Sequence, residues 1–293
     1  MQTIEAHAKI NLTLEVLGRR PDGFHEIASI IQTISLHDTL TLEPSGSLTL
    51  TCDRKELETE ENLAYRAAIL MRDQTGTAEG ARISIEKRIP VAAGLGGGSS
   101  DAAAALVGLN RLWGLGLGAE ELQSLAAQLS SDAPFFIRGG TAIVLGRGER
   151  VRALPAADLP WMVLLAPGTE LADKTASMYS AIPRTSYTRG ALTRKFEARI
   201  RGGGDVPAQF FFNAFDSVAR KVFPDISRHW QAFVSVGARE IHLAGSGPTL
   251  FAPVAKREVG TAMQLLLSQR YGWPAFLVSA WQPAGGEPAG GEL

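Results

Sequence analysis

The chain has 293 residues, 45% hydrophobic and 20% charged, enough apolar material for a substantial core at a length that favours about two domains. Twenty-nine Lys and Arg against 30 Asp and Glu leave a formal charge of −1, which removes the electrostatic case for nucleic acid or an anionic membrane as partner. A single cysteine, Cys52, excludes an intrachain disulfide and suits a reducing compartment; residues 1–9 show no leader pattern and the longest apolar run, 159–166, is far short of a membrane span, so the expectation is a cytoplasmic protein.

In chain order, alternation and β-branched residues predict strands over 3–9, 10–18, 27–35, 39–43 and 48–52. A helix follows over 62–74, with Leu63, Ala67, Leu70 and Met71 at helical spacing and Gly76 closing it. Alternation returns over 82–88, then a glycine-rich loop, helices over 99–113 and 119–129, and a hairpin over 141–145 and 149–154. Two prolines between 154 and 160 mark a boundary. Beyond it the pattern predicts a strand over 161–166 and helices over 173–182, 189–199, 213–222 and 226–236. Strands over 240–243 and 249–254, a helix over 256–269 and a strand over 275–280 complete an α+β unit, and the low-complexity stretch 283–293 reads as a disordered tail.

The most informative segment is PVAAGLGGGSSDAAAA, from Pro90 to Ala105. Gly94, Gly96, Gly97 and Gly98 let the backbone turn tightly and approach an anion, and a helix starting near Ser99 aims its bare N–H groups at that anion. No Lys follows, so it is not a Walker A loop. The third glycine of a dinucleotide fingerprint is also missing, and the region 115–121 reads as a junction between helices, where that fold needs an acidic strand end. A capped flexible turn is the plain alternative, but four glycines and two hydroxyls exceed what a turn needs.

Three other stretches carry possible chemistry, each with a structural alternative. Lys9 and Asn11 alternate onto one face of an apolar strand, where an edge-strand Lys reaching solvent is the commoner case. Arg20 to His25, RPDGFH, is a tight turn carrying an aromatic ring and an imidazole. Asp132 stands just past a helix end beside an apolar pair, where Asp is most often a cap. The five histidines, His7, His25, His37, His229 and His242, show no i, i+4 pair and Cys52 has no partner, so no metal held directly by His or Cys is expected. Ala244 and Pro248 flank Gly245-Ser246-Gly247 where a hydrolase elbow needs glycine. The basic stretch 189–201 reads as a solvated helix face, and Phe210 to Phe212 as core at the domain junction.

Taken together, AKINL at Ala8 to Leu12, the loop from Pro90 to Ala104 and LAGSGPTLF from Leu243 to Phe251 resemble the three motifs of the GHMP family of small-molecule kinases. RPDGFH is similar to the cytidyl-site element of one branch of that family. The resemblance implies a two-domain α+β GHMP kinase fold: a ribosomal protein S5 domain 2-like domain over 1–155, a ferredoxin-like domain over 156–282 and the tail over 283–293. It also implies ATP-dependent phosphorylation of the 2-hydroxyl of a cytidyl-diphosphate methylerythritol, with Asp132 as base and Lys9 beside it.

On the same resemblance Pro90, Ala93, Gly94, Leu95, Gly96, Gly97, Gly98, Ser99, Ser100 and Asn62 hold ATP, with Mg2+ near Ser99 or Ser100. Asn11, Phe24, His25, Gly245, Ser246 and Gly247 hold the acceptor, Phe24 stacking on cytosine and His25 bonding its edge. The chain is expected to act as a monomer or homodimer on a small molecule. Departures stand out: Phe24 replaces the family's usual Tyr, Ser131 and Ala133 flank Asp132 in place of the usual residues, and Asn213-Ala214-Phe215-Asp216 departs from the family's Asn-Asp-Leu-Glu, while Thr175 and Tyr179 fit only loosely. Two other readings stay open: a different acceptor such as homoserine or mevalonate, and a catalytically silent nucleotide-binding regulator.

Overall fold

In the computed structural model, residues 1–168, 171 and 173–283 are described, and the tail over 284–293 lies outside them. The first four expected strands are two long ones, β1 (Gln2–Arg19) and β2 (His25–Ser45), paired antiparallel about a turn in which Gly23 has φ +87°. Register shifts after His7, Asn11 and Val16 mark bulges, which bend a strand without ending it, and that is why alternation lapses where the chain continues extended. Around them lies a seven-stranded sheet. Its order is β3 (Thr49–Cys52), β4 (Gly80–Glu86), β2, β1 and β8 (Phe212–Asn213), with β5 (Thr141–Gly146) on β2 and β6 (Arg150–Ala153) on β5.

Four helices cover one face: α1 (Leu63–Thr75), α2 (Gly97–Leu112), α3 (Ala119–Leu129) and α4 (Ala133–Arg138). The alanine run of α2 is buried against this sheet, and a Cβ on Gly108 would come within 2.7 Å of Leu42 Cδ1 and 2.8 Å of Ile4 Cδ1, so small residues set the close approach. Asn62 caps α1, its Oδ1 accepting from the Ala64 N–H at 2.9 Å.

The second sheet is antiparallel throughout, in the order β11 (Ala275–Val278), β7 (Trp161–Leu165), β10 (Leu250–Val254) and β9 (His242–Leu243). In sequence rank that is 4-1-3-2, the ferredoxin-like arrangement the resemblance implies. α5 (Lys174–Ala181), α7 (Ala219–Val222), α8 (Ile226–Ser235) and α9 (Arg257–Tyr271) accompany it, while α6 (Ala191–Arg201) packs on β1 and β2, its Thr193 bonded to Thr13 and Glu15. Backbone joins the halves where β8 pairs parallel with β1 at Thr13↔Phe212 and Leu14↔Asn213, where Ala280 bridges Ile34, and where the Thr188 and Thr249 N–H groups donate to Val16 O and Ala93 O.

Sequence and structure part in a few places. The helix expected over 213–222 is a 3-10 turn, Ala214–Ser217, followed by the single turn α7, because Asn213 is held in β8 and its side chain accepts from the Phe215 N–H. The strand expected over 240–243 shrinks to two residues. The short helix α4 is absent from the sequence reading, being too brief for periodicity to register.

Candidate active site

The site begins with the alternation of β1. Ala8, Ile10 and Leu12 enter one core cluster and Lys9 and Asn11 alternate with them, while Ala6, on the other side of the bulge after His7, packs in a different cluster; His7, Lys9, Asn11, Thr13 and Glu15 are all buried. Lys9 is 6% exposed because β1 is flanked there by β2 at Thr33 on one side and by the glycine loop at Leu95 on the other, which leaves no open edge. Its ammonium donates to Asn11 Oδ1 at 2.9 Å and faces Asp132 Oδ2 at 3.7 Å. Asn11 is fixed in turn by donating to Ser29 Oγ at 2.8 Å. Asp132 precedes α4 but its side chain makes no capping bond; Ser130 Oγ takes the Ala133 N–H instead, and the half-exposed carboxylate opens to the cleft.

The Lys9 N–H donates to Leu95 O at 2.9 Å, which ties β1 directly to the glycine loop. α2 begins at Gly97 behind a glycine cap, Gly96 at φ +75°, so no side chain occupies its mouth and its first N–H groups face a cleft of about 280 Å³. A Cβ at Gly96 would lie 2.7 Å from the Phe136 ring and 3.2 Å from Lys9 Cγ; only glycine lets loop and lysine meet. Asn62, Pro90, Gly94, Gly96, Gly97, Gly98 and Ser99 line this cleft. Ala93 and Leu95 turn their side chains into the core, so what they offer is backbone.

The two serines differ. Ser99 Oγ accepts from Ser130 Oγ at 2.8 Å, linking the loop to the turn that carries Asp132. Ser100 is 2% exposed and its hydroxyl donates to His7 O at 2.7 Å, away from the mouth, so it pins α2 to β1. Behind the loop, Lys87 is buried between Asp38 and Asp101, 2.7 Å from Asp101 Oδ2. Burial, with the Asp38 charge, raises the Asp101 carboxyl to about 7 against the pull of Lys87. Asp38 Oδ1 accepts from the Arg88 and Ile89 N–H groups at 2.6 and 2.8 Å, so this trio anchors the start of the loop.

From the second half, Gly245 sits over Lys9 and Asn11, its hypothetical Cβ 3.0 Å from Lys9 Nζ and 3.4 Å from Asn11 Oδ1. Asn213 Nδ2 donates to Leu243 O and Gly245 O, both at 2.8 Å, and Asp216 accepts from the Leu243 N–H at 2.8 Å. The departure from the family's pattern at 213–216 therefore still holds the Gly245–Gly247 loop. Lys174 reaches across to donate to Ala92 O and, at 2.7 Å, to Gly247 O. Burial and the nearby Lys9 charge bring its ammonium down to about 8.

At the other end is a cavity of about 580 Å³ that contains Phe24 and His25. Phe24 is 56% exposed with the Arg147 guanidinium 4.8 Å from its ring centroid. His25 stacks on Tyr179 at 4.8 Å and its Nε2 meets the Tyr187 hydroxyl at 3.2 Å. Burial and Arg19 hold His25 below its ordinary pKa, and burial with the Asp132 charge pushes Tyr179 up to about 12. Tyr179 thus lines this pocket within reach of the Asp132 charge. Thr175 Oγ1 meets Ser246 Oγ at 3.0 Å. Sequence reasoning missed Lys174, Arg147 and Tyr187 and set Thr175 and Tyr179 aside. The available signal was Thr175 and Tyr179 at i, i+4, on one helix face.

Residues 62–140 match the family of GHMP kinases, N-terminal domain. The chain is 42% identical over 284 residues to the 4-diphosphocytidyl-2-C-methyl-D-erythritol kinase of Dehalococcoides mccartyi, covering 97% of this chain and 99% of that one. It is 45% identical over 264 residues to the enzyme of the same name from Symbiobacterium thermophilum, covering 88% and 92%. Among solved structures it is similar to a crystal structure of 4-(cytidine 5'-diphospho)-2C-methyl-D-erythritol kinase, with a TM-score of 0.80 and 32% identity over 94% of this chain and 98% of that one.

Proposed function

The chain belongs to the family of 4-diphosphocytidyl-2-C-methyl-D-erythritol kinases, and we propose that its cleft transfers the γ-phosphoryl group of ATP to the 2-hydroxyl of 4-diphosphocytidyl-2-C-methyl-D-erythritol, a step of the non-mevalonate route to isoprenoid precursors. The observation that carries this reading is Lys9 Nζ facing Asp132 Oδ2 at 3.7 Å, between an amide-lined phosphate cleft and an aromatic pocket. Asp132 takes the proton of the hydroxyl as its oxygen bonds to the γ-phosphorus; the bond to the β,γ-bridging oxygen breaks and ADP leaves with that electron pair. Lys9 stabilises the negative charge developing on the attacking oxygen, and Asn11 keeps the ammonium aimed.

The amides at the mouth of α2 and the turns at Gly94 and Gly96 hold the polyphosphate. Lys174, which donates to the carbonyls of Ala92 and Gly247 at the edge of the loop, offers its ammonium to that polyphosphate. Oxygen donors at the rim fit magnesium sparsely: Ser99 Oγ is within the cleft, whereas the Asp101 carboxylate is tied to Lys87. Ser99 would hold Mg2+ together with phosphate oxygens, and the ion would supply charge neutralisation. Phe24 stacks on cytosine and His25 bonds its edge, backed by Tyr179 and Tyr187.

One chain holds every group this mechanism uses, so a monomer suffices and a homodimer is compatible. The near-neutral charge and lone cysteine fit a cytoplasmic enzyme. No helix among the described residues is long and apolar enough to cross a membrane. A coupled ADP-release assay comparing the cytidyl alcohol with homoserine and mevalonate tests the reading: turnover is expected with the first alone, and equal turnover with homoserine would overturn it.

A further inference from the structure

We propose that Glu5, His7 and His37 bind a divalent transition-metal ion of the zinc class, at a site separate from the nucleotide cleft. The three come together through strand register. His7 pairs directly with His37 across β1 and β2, while Glu5 and His7 share a face of β1, so a site that no helical spacing could announce is assembled by a ladder. One carboxylate oxygen and one ring nitrogen of each histidine lie within 4.8 Å of one another.

The hydrogen bonds around the rings define their tautomers. His7 Nδ1 lies 3.0 Å from Ile34 O and His37 Nδ1 lies 3.0 Å from Ser35 O. A carbonyl only accepts, so both Nδ1 atoms carry protons and both Nε2 atoms of the neutral rings present lone pairs. Those lone pairs face the Glu5 carboxylate, His7 Nε2 at 3.2 Å from Oε2 and His37 Nε2 at 3.6 Å from Oε1. Three acceptors converge with no proton between them. His7 is 5% exposed and its Nε2 is a buried atom without a hydrogen-bond partner.

Two imidazolium rings 5.1 Å apart would repel each other across a single carboxylate. A single cation satisfies all three groups at once. Bonds of about 2.0–2.1 Å in a tetrahedral shell put neighbouring donors roughly 3.3 Å apart, between the two carboxylate–imidazole separations. The Nδ1 contacts to backbone carbonyls are the outer-shell bonds that metal-bound histidines make. Imidazole and carboxylate together select zinc, cobalt, nickel or copper over magnesium. Glu5 is half-exposed, which gives the ion a path in and leaves a coordination position for water.

The site has a built-in reporter, since the Trp281 ring stacks on His7 with centroids 3.9 Å apart. Full-length protein stripped of metal and free of nucleotide is titrated with Co2+, following visible absorption and tryptophan fluorescence, and Zn2+ is then added in competition. One equivalent of Co2+ is expected to bind with a ligand-field band, to quench Trp281 and to be displaced by Zn2+. Because a His7 variant risks misfolding, His37→Gln and Glu5→Gln carry the test: each is expected to weaken binding by about 10-fold or more. Trp281→Phe keeps the absorption band and loses the quenching. Isotherms in folded His37→Gln and Glu5→Gln equal to the unsubstituted protein, or no saturable uptake, would overturn the proposal.

Discussion

The two ends of the cleft are made of different material. The phosphate end is main chain: glycines at φ +86° and +75°, a helix mouth with no capping side chain, and serines engaged with other protein groups. The acceptor end is side chain: an exposed phenyl ring, a stacked imidazole and tyrosine, and a second tyrosine in hydrogen-bond contact. In the proposed reaction, main chain recognises what every nucleoside triphosphate shares, and side chains recognise what one acceptor alone possesses. Between them stands the Lys9–Asp132 pair, which belongs to neither.

The largest effect is expected at that pair. Asp132→Asn should cut kcat by ~10²–10⁴ while ATP still binds, measured by ADP release and by nucleotide titration. If kcat stays near normal, the carboxylate is not the base. The next tests the main-chain end: Gly96→Ala puts a methyl group against Phe136 at positive φ and should destabilise the fold by about 2–4 kcal/mol, visible as a drop of roughly 5–10 °C in thermal midpoint. A silent alanine there would mean the loop has room that its geometry denies.

At the side-chain end, Phe24→Ala removes ~1–3 kcal/mol of stacking and should raise KM for the cytidyl alcohol by about 10-fold or more with KM for ATP unchanged. An equal rise in both would erase the division between the ends. Lys174 lies on the seam and predicts a pH effect. With its pKa near 8, the charge offered to phosphate is present at pH 7 and lost as pH rises through 8, so kcat/KM for ATP should fall on that limb, and Lys174→Arg should flatten the fall. Folding stability from this group runs the opposite way. The unfolded chain binds the proton more tightly between pH 8 and 10.5, so stability rises with pH across that window. The smallest effect is Tyr187→Phe, which forfeits one hydrogen bond to His25, about 0.5–1.5 kcal/mol in acceptor affinity.

Legibility in sequence divided along the same line. The glycine loop, AKINL and the Gly245–Gly247 turn are each contiguous runs of distinctive residue types, so the residues lining the glycine-loop cleft, and Lys9 with Asn11, stood out as candidates. The acceptor pocket draws on residues 24–25, 147, 175–179 and 184–187, each an ordinary turn or helix by itself, so only Phe24 and His25 were visible. Ser100 was misplaced because adjacent hydroxyls look equivalent in a sequence, whereas a helix turns successive side chains by about 100°. The two long strands were read as four because bulges interrupt the period that strand prediction relies on. The meeting of His7 with His37 was hidden for a related reason: strand register lies outside any fixed spacing.

The parallel pairing of Phe212 and Asn213 with Thr13 and Leu14 has a consequence for how the molecule is made. The strand that carries Lys9 acquires this neighbour only after roughly 200 more residues have left the ribosome, and contacts of such separation form slowly. A nascent chain halted at the end of the first sheet would therefore hold its glycine loop yet bare one side of β1. Translation finishes the enzyme's centre from its far end.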